Sequence, residues 1–363
     1  MVKKLLLGSV LLVLVFGIAA TIAVVEIAKR IETPYLGYDT SGVFVDIDLG
    51  DSSRLIAERL ASLGVVKDNL SFRLAVWRSG QARNLQAGEY HFNEQLSAME
   101  VVEKIARGQV HLRSITFPEG LTIAEMAIIF DSSSFGSAEE FLSAAQRVDL
   151  ITDLDNDATN LEGYLFPDTY LLPRGATAED LVRAMLSRFR VVFDAELFQV
   201  LANRAMSLRE AVILASLIQK ETSDDTEHGL VSAVYNNRLR IGMPLQCDPT
   251  VIYALILDGL YDGNLTRENL QYDSLYNTYR YRGLPPGPIA APGLDVLMAA
   301  LSPSDVSYLY FVSRNDGSHE FANTLREHNR NVQRYQVGYF RGRQGGGCCL
   351  FKNLRKLDGD QRF

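Results

Sequence analysis

Residues Leu5 to Val25, LLLGSVLLVLVFGIAATIAVV, carry no charged side chain over 21 positions. A helix of that length rises about 30 Å, the thickness of a bilayer's hydrocarbon core. Because the run is apolar on every face, lipid is the environment that best covers it. A secretory signal has a shorter apolar region of about 7–15 residues ending at a small-x-small site, and Ala20 to Ala23 fit that pattern only when forced. The run therefore reads as a retained transmembrane helix. Lys3 and Lys4 precede it, which keeps the N-terminus cytoplasmic by the positive-inside rule, although Lys29 and Arg30 blunt the bias. The rest of the chain is expected on the outer side.

The 363 residues exceed one average domain and have room for two, and an apolar fraction of 47% supplies real cores. With 36 basic against 44 acidic residues the net charge is −8, so the chain lacks the footprint of a nucleic-acid binder. Cys247, Cys348 and Cys349 are too few and too clustered for a disulfide framework. Cys247 is expected to pack as a small side chain rather than act as a nucleophile. His228, His319 and His328 match none of the zinc spacings, and no metal or cofactor is expected.

Val43 to Leu49 alternates like a strand, and Gly50-Asp-Ser52 opens a helix carrying Leu55, Ile56, Leu60 and Leu63. Ser114 to Gly120, followed by Thr122, Met126 and Ala127, repeats the logic. The first copy resembles the strand–helix opening of glycan-binding LysM modules; an ordinary βα unit without a ligand would look the same. Ser-x-x-Glu or Thr-x-x-Glu capping boxes at Ser97, Thr122 and Ser137 assign Glu100, Glu125 and Glu140 to helix starts. Asp149 to Asn160 is a polar loop. It leads into Leu161-Glu-Gly-Tyr-Leu-Phe-Pro-Asp-Thr-Tyr170, where aromatic rings and carboxylates suit sugar, or equally a satisfied core turn.

A fourth box, Ser207-Leu-Arg-Glu210, starts a helix whose Ala211, Leu214, Leu217 and Ile218 fall on one arc, with Val212 and Ile213 off it. Glu221 lands inside the apolar arc. An ionised carboxylate facing apolar packing is costly unless it is paired, protonated or opened to a cleft. Two readings follow: the helix ends near Glu221 and lets the carboxylate reach solvent, or Glu221 is an acid held protonated to donate to a leaving group. Beyond it, Gly229 to Arg240 reads as a helix with Asn237 and Arg238 near its end. Gly242 and Pro249 bracket a tight segment presenting Gln246 and Asp248. Tyr276 to Ile289 is a shaped loop, and Tyr308 to Val312 is a buried strand facing His319 to Phe321 across Arg314-Asn-Asp-Gly317.

The segments Leu214-Ala-Ser-Leu-Ile-Gln-Lys-Glu-Thr222, Val234-Tyr-Asn-Asn-Arg-Leu-Arg-Ile-Gly-Met243 and Leu245-Gln-Cys-Asp-Pro-Thr-Val-Ile-Tyr253 resemble the endolytic murein transglycosylases of the MltG (YceG-like) family. So do Tyr276-Asn-Thr-Tyr279, Gly283-Leu-Pro-Pro-Gly-Pro-Ile289, Tyr308 to Val312 and His319-Glu-Phe321, and the resemblance runs from about Gly37 to Tyr335. The family helix carries two Glu positions, and the earlier one is Gln219 here, which leaves Glu221 as the catalytic acid that the resemblance implies. It further implies substrate contacts by Glu162, Tyr164 and Asp168, by Asn237, Arg238, Gln246 and Asp248, and by Tyr253, Asn277, Tyr279 and His319.

The implied fold is α+β: a stub and anchor at 1–30, a small LysM-like module at 38–115, a larger mixed catalytic domain at 116–340 and a disordered tail at 341–363. The implied activity is cleavage of the MurNAc–GlcNAc bond of nascent peptidoglycan to leave 1,6-anhydro ends, without water or metal. The catalytic domain is expected outside the inner membrane on a single-pass anchor, with glycan strands and, as the resemblance implies, peptidoglycan synthases as partners. Two alternatives remain open at this point. One is a hydrolytic muramidase using Glu221 with Asp248 or Glu162, and the other a non-catalytic tethered glycan binder.

Overall fold

The computed structural model describes residues 2–39, 41–204 and 206–337, with side chains from Leu14 onward. The expected tail at 341–363, with Cys348 and Cys349, lies outside the described residues, as do the side chains of the first half of the apolar run. Helix α1 (Val2–Glu32) continues past Val25. Its residues 14–26 are exposed on all faces, whereas Ile31 is fully buried. Among the described residues no helix is long and apolar enough to cross a membrane, the described side chains of α1 beginning in the middle of the apolar run.

The chain divides into two compact units, one holding the chain up to Ile115 with Leu171–Thr177, the other holding Thr116–Tyr170 and the chain from Ala178 onward. In the first unit β1 (Val43–Ile47), α2 (Ser53–Ser62), α3 (Asn69–Ser79), β2 (Gly88–Phe92) and α4 (Ala98–Ala106) follow in order. β1 and β2 pair antiparallel from Val43↔Phe92 to Ile47↔Gly88, which turns Val45, Ile47, Tyr90 and Phe92 onto a core with Ile31, Ile56, Leu60, Phe72 and Ile105. Ser52 caps α2, as its position after the strand implies, and Gly64 just beyond the helix takes the left-handed conformation, φ 74°. α3 was not expected: Asp68 caps it and Gly80 ends it.

β3 (Leu112–Thr116) and β4 (Thr169–Pro173) form a second two-stranded sheet, in which the chain leaves the first unit and re-enters it. The second unit is mainly helical, with α5 (Ile123–Asp131), α6 (Ala138–Ala144), α7 (Ala178–Val192), α8 (Ala195–Arg204), α9 (Leu208–Glu221), α10 (His228–Arg240), α11 (Asp248–Leu257), α12 (Leu294–Leu301) and α13 (Leu325–Val332). A hairpin of β5 (Tyr310–Ser313) and β6 (His319–Ala322) completes it. The capping boxes at Ser97, Thr122, Ser137 and Ser207 all form, with side chain and backbone satisfied in both directions. The expected strand at Tyr308 begins two residues later, at Tyr310, and is half-buried rather than buried.

α9 is the axis of this unit. α8, α10, α11 and α12 pack on it, and every residue from Ala211 to Ile218 is buried. Val212 and Ile213 blur the apolar arc because the helix is enclosed on all sides, so no polar stripe is required.

Candidate active site

Glu221 is the last residue of α9. Thr222 follows in an extended conformation, φ −140°, and ends the helix where the solvent reading of the sequence requires. The carboxylate nevertheless stays half-buried. α10 returns beside α9 and brings the Tyr235 hydroxyl to donate to Glu221 Oε2 at 3.0 Å, while the buried Cys247 thiol donates to the same oxygen at 3.4 Å. Oε1 has no hydrogen-bond partner among the described residues. Burial pushes the Glu221 pKa upward, and the Asp248 carboxylate pushes it further; the Tyr235 and Cys247 bonds and the nearby His319 pull the other way. Two donors on one oxygen make Oε2 the carbonyl-like acceptor and leave Oε1 to carry the proton.

Cys247 lies where Gln246 adopts a left-handed backbone, φ 51°, one of two such non-glycine residues described. That turn sends the Cys247 side chain inward and starts α11 at Asp248 with Pro249 in its first turn, where a missing amide costs nothing. The Gln246 amide donates to Thr278 O at 3.2 Å and the Cys247 amide to Thr278 Oγ1 at 3.0 Å, so the loop before α12 fixes the turn. Burial holds the Cys247 thiol well above its usual pKa, which suits a hydrogen-bond donor and not a nucleophile.

Asp248 is exposed and accepts from the Tyr279 hydroxyl at 2.5 Å. Asn277, fully buried, donates to Leu270 O and Tyr272 O and accepts from the Tyr279 amide at 3.0 Å, which sets the Tyr279 ring. Arg238 is buried and donates to Leu309 O at 2.7 Å and Leu245 O at 2.6 Å, tying α10 to the entry of β5 and to the segment before Cys247. Asn237 donates to Val306 O and Tyr308 O and lines a polar hollow of about 530 Å³ with Arg240, Asp305, Ser307 and Asn323.

His319 is joined by a group that sequence reasoning missed. Glu227, buried in the polar stretch between α9 and α10, accepts from the His319 amide at 2.7 Å and meets His319 Nδ1 at 2.6 Å, with Thr222 Oγ1 at 3.3 Å. The Glu227 carboxylate therefore selects the Nδ1-protonated ring and leaves Nε2 for other partners. Its partner stands 92 residues away, so no local spacing announces the pair. Tyr235 was missed for a related reason: its signal is two turns of α10 running back past the end of α9. His228 is buried with no hydrogen-bond partner for its ring nitrogens among the described residues, and His328 stacks on Tyr310.

Other anticipated residues occupy different clusters. Glu162 is buried, accepts from the Ile123 amide at 3.1 and 3.2 Å and from the Tyr253 hydroxyl at 3.1 Å, and has its pKa pushed up to about 7, mainly by burial. Tyr164 is buried with its hydroxyl on Asp155 at 2.6 Å, and Arg209 pairs with the same carboxylate. Asp168 pairs with Arg188 at 2.7 Å and accepts from its neighbour's amide. Gln219, at the family's earlier Glu position, accepts from the Gly293 amide at 2.9 Å and meets Glu119, whose pKa is raised by burial and by the charges of Asp295 and Asp225. A second carboxylate at position 219 would press against Glu119, whereas the amide can donate to it.

This arrangement can do acid–base chemistry at the Glu221 oxygen that no described residue hydrogen-bonds. The model of the YceG-like family matches residues 45–334. An endolytic murein transglycosylase of Bacillus subtilis (strain 168) is 32% identical over 309 residues, covering 81% of this chain and 84% of the relative. One from Streptococcus pneumoniae (strain D39) is 29% identical over 80% of this chain, which spans only 58% of that relative. The crystal structure of a putative YceG-like protein from Listeria monocytogenes superposes with a TM-score of 0.56 at 29% identity, over 80% of this chain and 99% of the other. With its Glu221 helix, its β5–β6 hairpin and its sequence matched along that length, the chain belongs to the YceG-like family.

Proposed function

We propose that the protein is an endolytic lytic transglycosylase of peptidoglycan, with Glu221 as its single acid and base. The carrying observation is the asymmetry of that carboxyl group: burial favours the protonated form, Tyr235 and Cys247 occupy Oε2, and Oε1 is free to act. Glu221 gives its proton to the oxygen between MurNAc and GlcNAc as the C1–O bond breaks. The resulting carboxylate then takes the proton of the sugar's own C6 hydroxyl, whose oxygen bonds to C1. The product is a 1,6-anhydro end, no water enters, and Glu221 finishes protonated. Asp248, held by Tyr279, faces the same carboxyl and supplies negative potential where positive charge develops on the sugar ring.

Asn237, Gln246, Asp248, Tyr279 and His319 are our candidates for substrate contacts around Glu221. Glu162, Tyr164, Asp168, Arg238, Tyr253 and Asn277 would act by holding the walls. The β1–α2 opening closed by β2 supports a LysM-like, glycan-holding role for the first unit. The apolar run supports a single-pass anchor that leaves both units outside the inner membrane and restricts cutting to nascent strands, where synthases would be neighbours.

A hydrolytic muramidase keeps one supporting observation, since Asp248 is an exposed carboxylate beside Glu221. Mass spectrometry of digested glycan strands separates the two. Ends lighter by one water than a reducing sugar support transglycosylation, and reducing ends would overturn it.

A further inference from the structure

α3 carries a surface that neither the core nor the site explains. Its inner side, Phe72, Ala75 and Val76, fills the first unit's core. Its outer side presents Leu70, 50% exposed, and Trp77, 77% exposed, two turns apart on one stripe. Arg73 lies between them on that stripe, and Lys67 and Arg83 come just before and just after the helix, all three exposed and without an ion pair among the described residues. The nearby acids are neutralised, Asp68 by Arg30 and Glu32 by Arg78 at 3.0 Å. In a chain of net charge −8 this face is apolar and basic.

The same two ion pairs lock α3 to α1. Arg30 reaches the start of α3, at Asp68 and at Ser71 Oγ 3.2 Å away, and Glu32 reaches its end at Arg78. Arg30 and Glu32 are separated by about 3 Å of helix rise, whereas Ser71 and Arg78 are separated by roughly 10 Å. α3 therefore lies across α1. Ile31 is buried in the core at this crossing, and α1 emerges from it with Leu14 to Val25 bare on every face. The outer stripe of α3 is exposed on the side away from the core.

We propose that the outer face of α3 lies on an anionic lipid surface, with Trp77 and Leu70 at headgroup level and Lys67, Arg73 and Arg83 against lipid phosphates. Amphipathic rings favour that depth, and each cation near such a surface is attracted to it. The inference rests on the membrane anchoring proposed above and adds that the first unit is held flat at the exit of the anchor rather than tethered freely.

Trp77 is the single tryptophan of the chain, so its fluorescence reports this face without engineering. The full chain is reconstituted into phosphatidylcholine–phosphatidylglycerol vesicles containing lipids brominated near the headgroup, and into phosphatidylcholine vesicles with the same brominated lipid. Flotation is scored separately. The proposal expects blue-shifted emission, several-fold quenching by bromine in the anionic vesicles, protection from acrylamide, and loss of most of that quenching in the double variant Arg73→Glu, Arg83→Glu. A chain that floats while Trp77 stays red-emitting, open to acrylamide and blind to bromine overturns the proposal and spares the anchor. Equal quenching in both vesicle types overturns the anionic assignment. A chain that does not float overturns anchor and proposal together.

Discussion

Two carboxyl groups of the second unit, the half-buried Glu221 and the buried Glu162, start from the same chemistry and end in different situations. Burial raises the pKa of both, and a tyrosine hydroxyl donates to Oε2 of each. At Glu162 the Ile123 amide at the start of α5 reaches both oxygens and the side chain is 5% exposed, so neither oxygen can meet a substrate. At Glu221 one oxygen takes both donors and the other has no hydrogen-bond partner among the described residues. The two groups therefore differ not in the direction of the pKa shift but in which oxygens the described residues occupy. α11 connects the two regions, since its first residue, Asp248, faces Glu221 and its Tyr253 holds Glu162.

The comparison breaks most decisively at Glu221. Glu221→Gln keeps the shape and the acceptor for Tyr235 and removes the proton, so turnover of isolated glycan strands is expected to fall by about 10²–10⁴-fold with no loss of melting temperature. Glu162→Gln resembles the protonated acid it replaces and is expected to leave turnover within a few-fold. Glu162→Ala strands the Ile123 amide and the Tyr253 hydroxyl in the core, and chemical denaturation is expected to show a loss of roughly 2–4 kcal/mol.

Glu162 also makes a signed prediction about pH. Its folded pKa of about 7 lies above the ordinary 4.5, so the folded chain holds this proton more tightly than the unfolded one. The resulting stabilisation, at most about 3 kcal/mol, is complete below about pH 4.5 and is lost as pH rises through 7. Denaturation midpoints between pH 5 and 8 are expected to fall in the wild type and to fall less in Glu162→Gln.

The smallest effect belongs to the periphery of the site. Glu227→Gln weakens the hold on His319, and the expected result is a few-fold rise in KM with kcat little changed. A Glu227→Gln variant that loses kcat with KM constant would place His319 in the chemistry instead of in binding.

What was legible in the sequence is what is local. A capping box is a contact between residues three apart, and the boxes at Ser97, Thr122, Ser137 and Ser207 each start the helix they mark. Glu221 stood out because helical phase alone put a charge in an apolar arc. A fifth box, Thr324 to Glu327, is equally local and starts α13. Pro249 marks the edge of a tight segment, but proline in a first turn equally opens a helix, and α11 begins there. The groups that tune Glu221 were less visible, because Tyr235, Cys247 and the Glu227–His319 pair arrive from other elements and only the packing on α9 brings them together. The aromatic turn at Leu161 to Tyr170 offered sugar contact or core packing, and its Tyr164 and Phe166 are buried.

The alkaline limb of the pH profile of kcat/KM measures the free enzyme's essential acid directly. The account predicts a limb set by Glu221 above the ordinary carboxylate range, displaced to higher pH in Tyr235→Phe, because that hydroxyl lowers the Glu221 pKa, and unmoved in Glu162→Gln. A limb that ignores Tyr235→Phe, or that moves with Glu162→Gln, would contradict it.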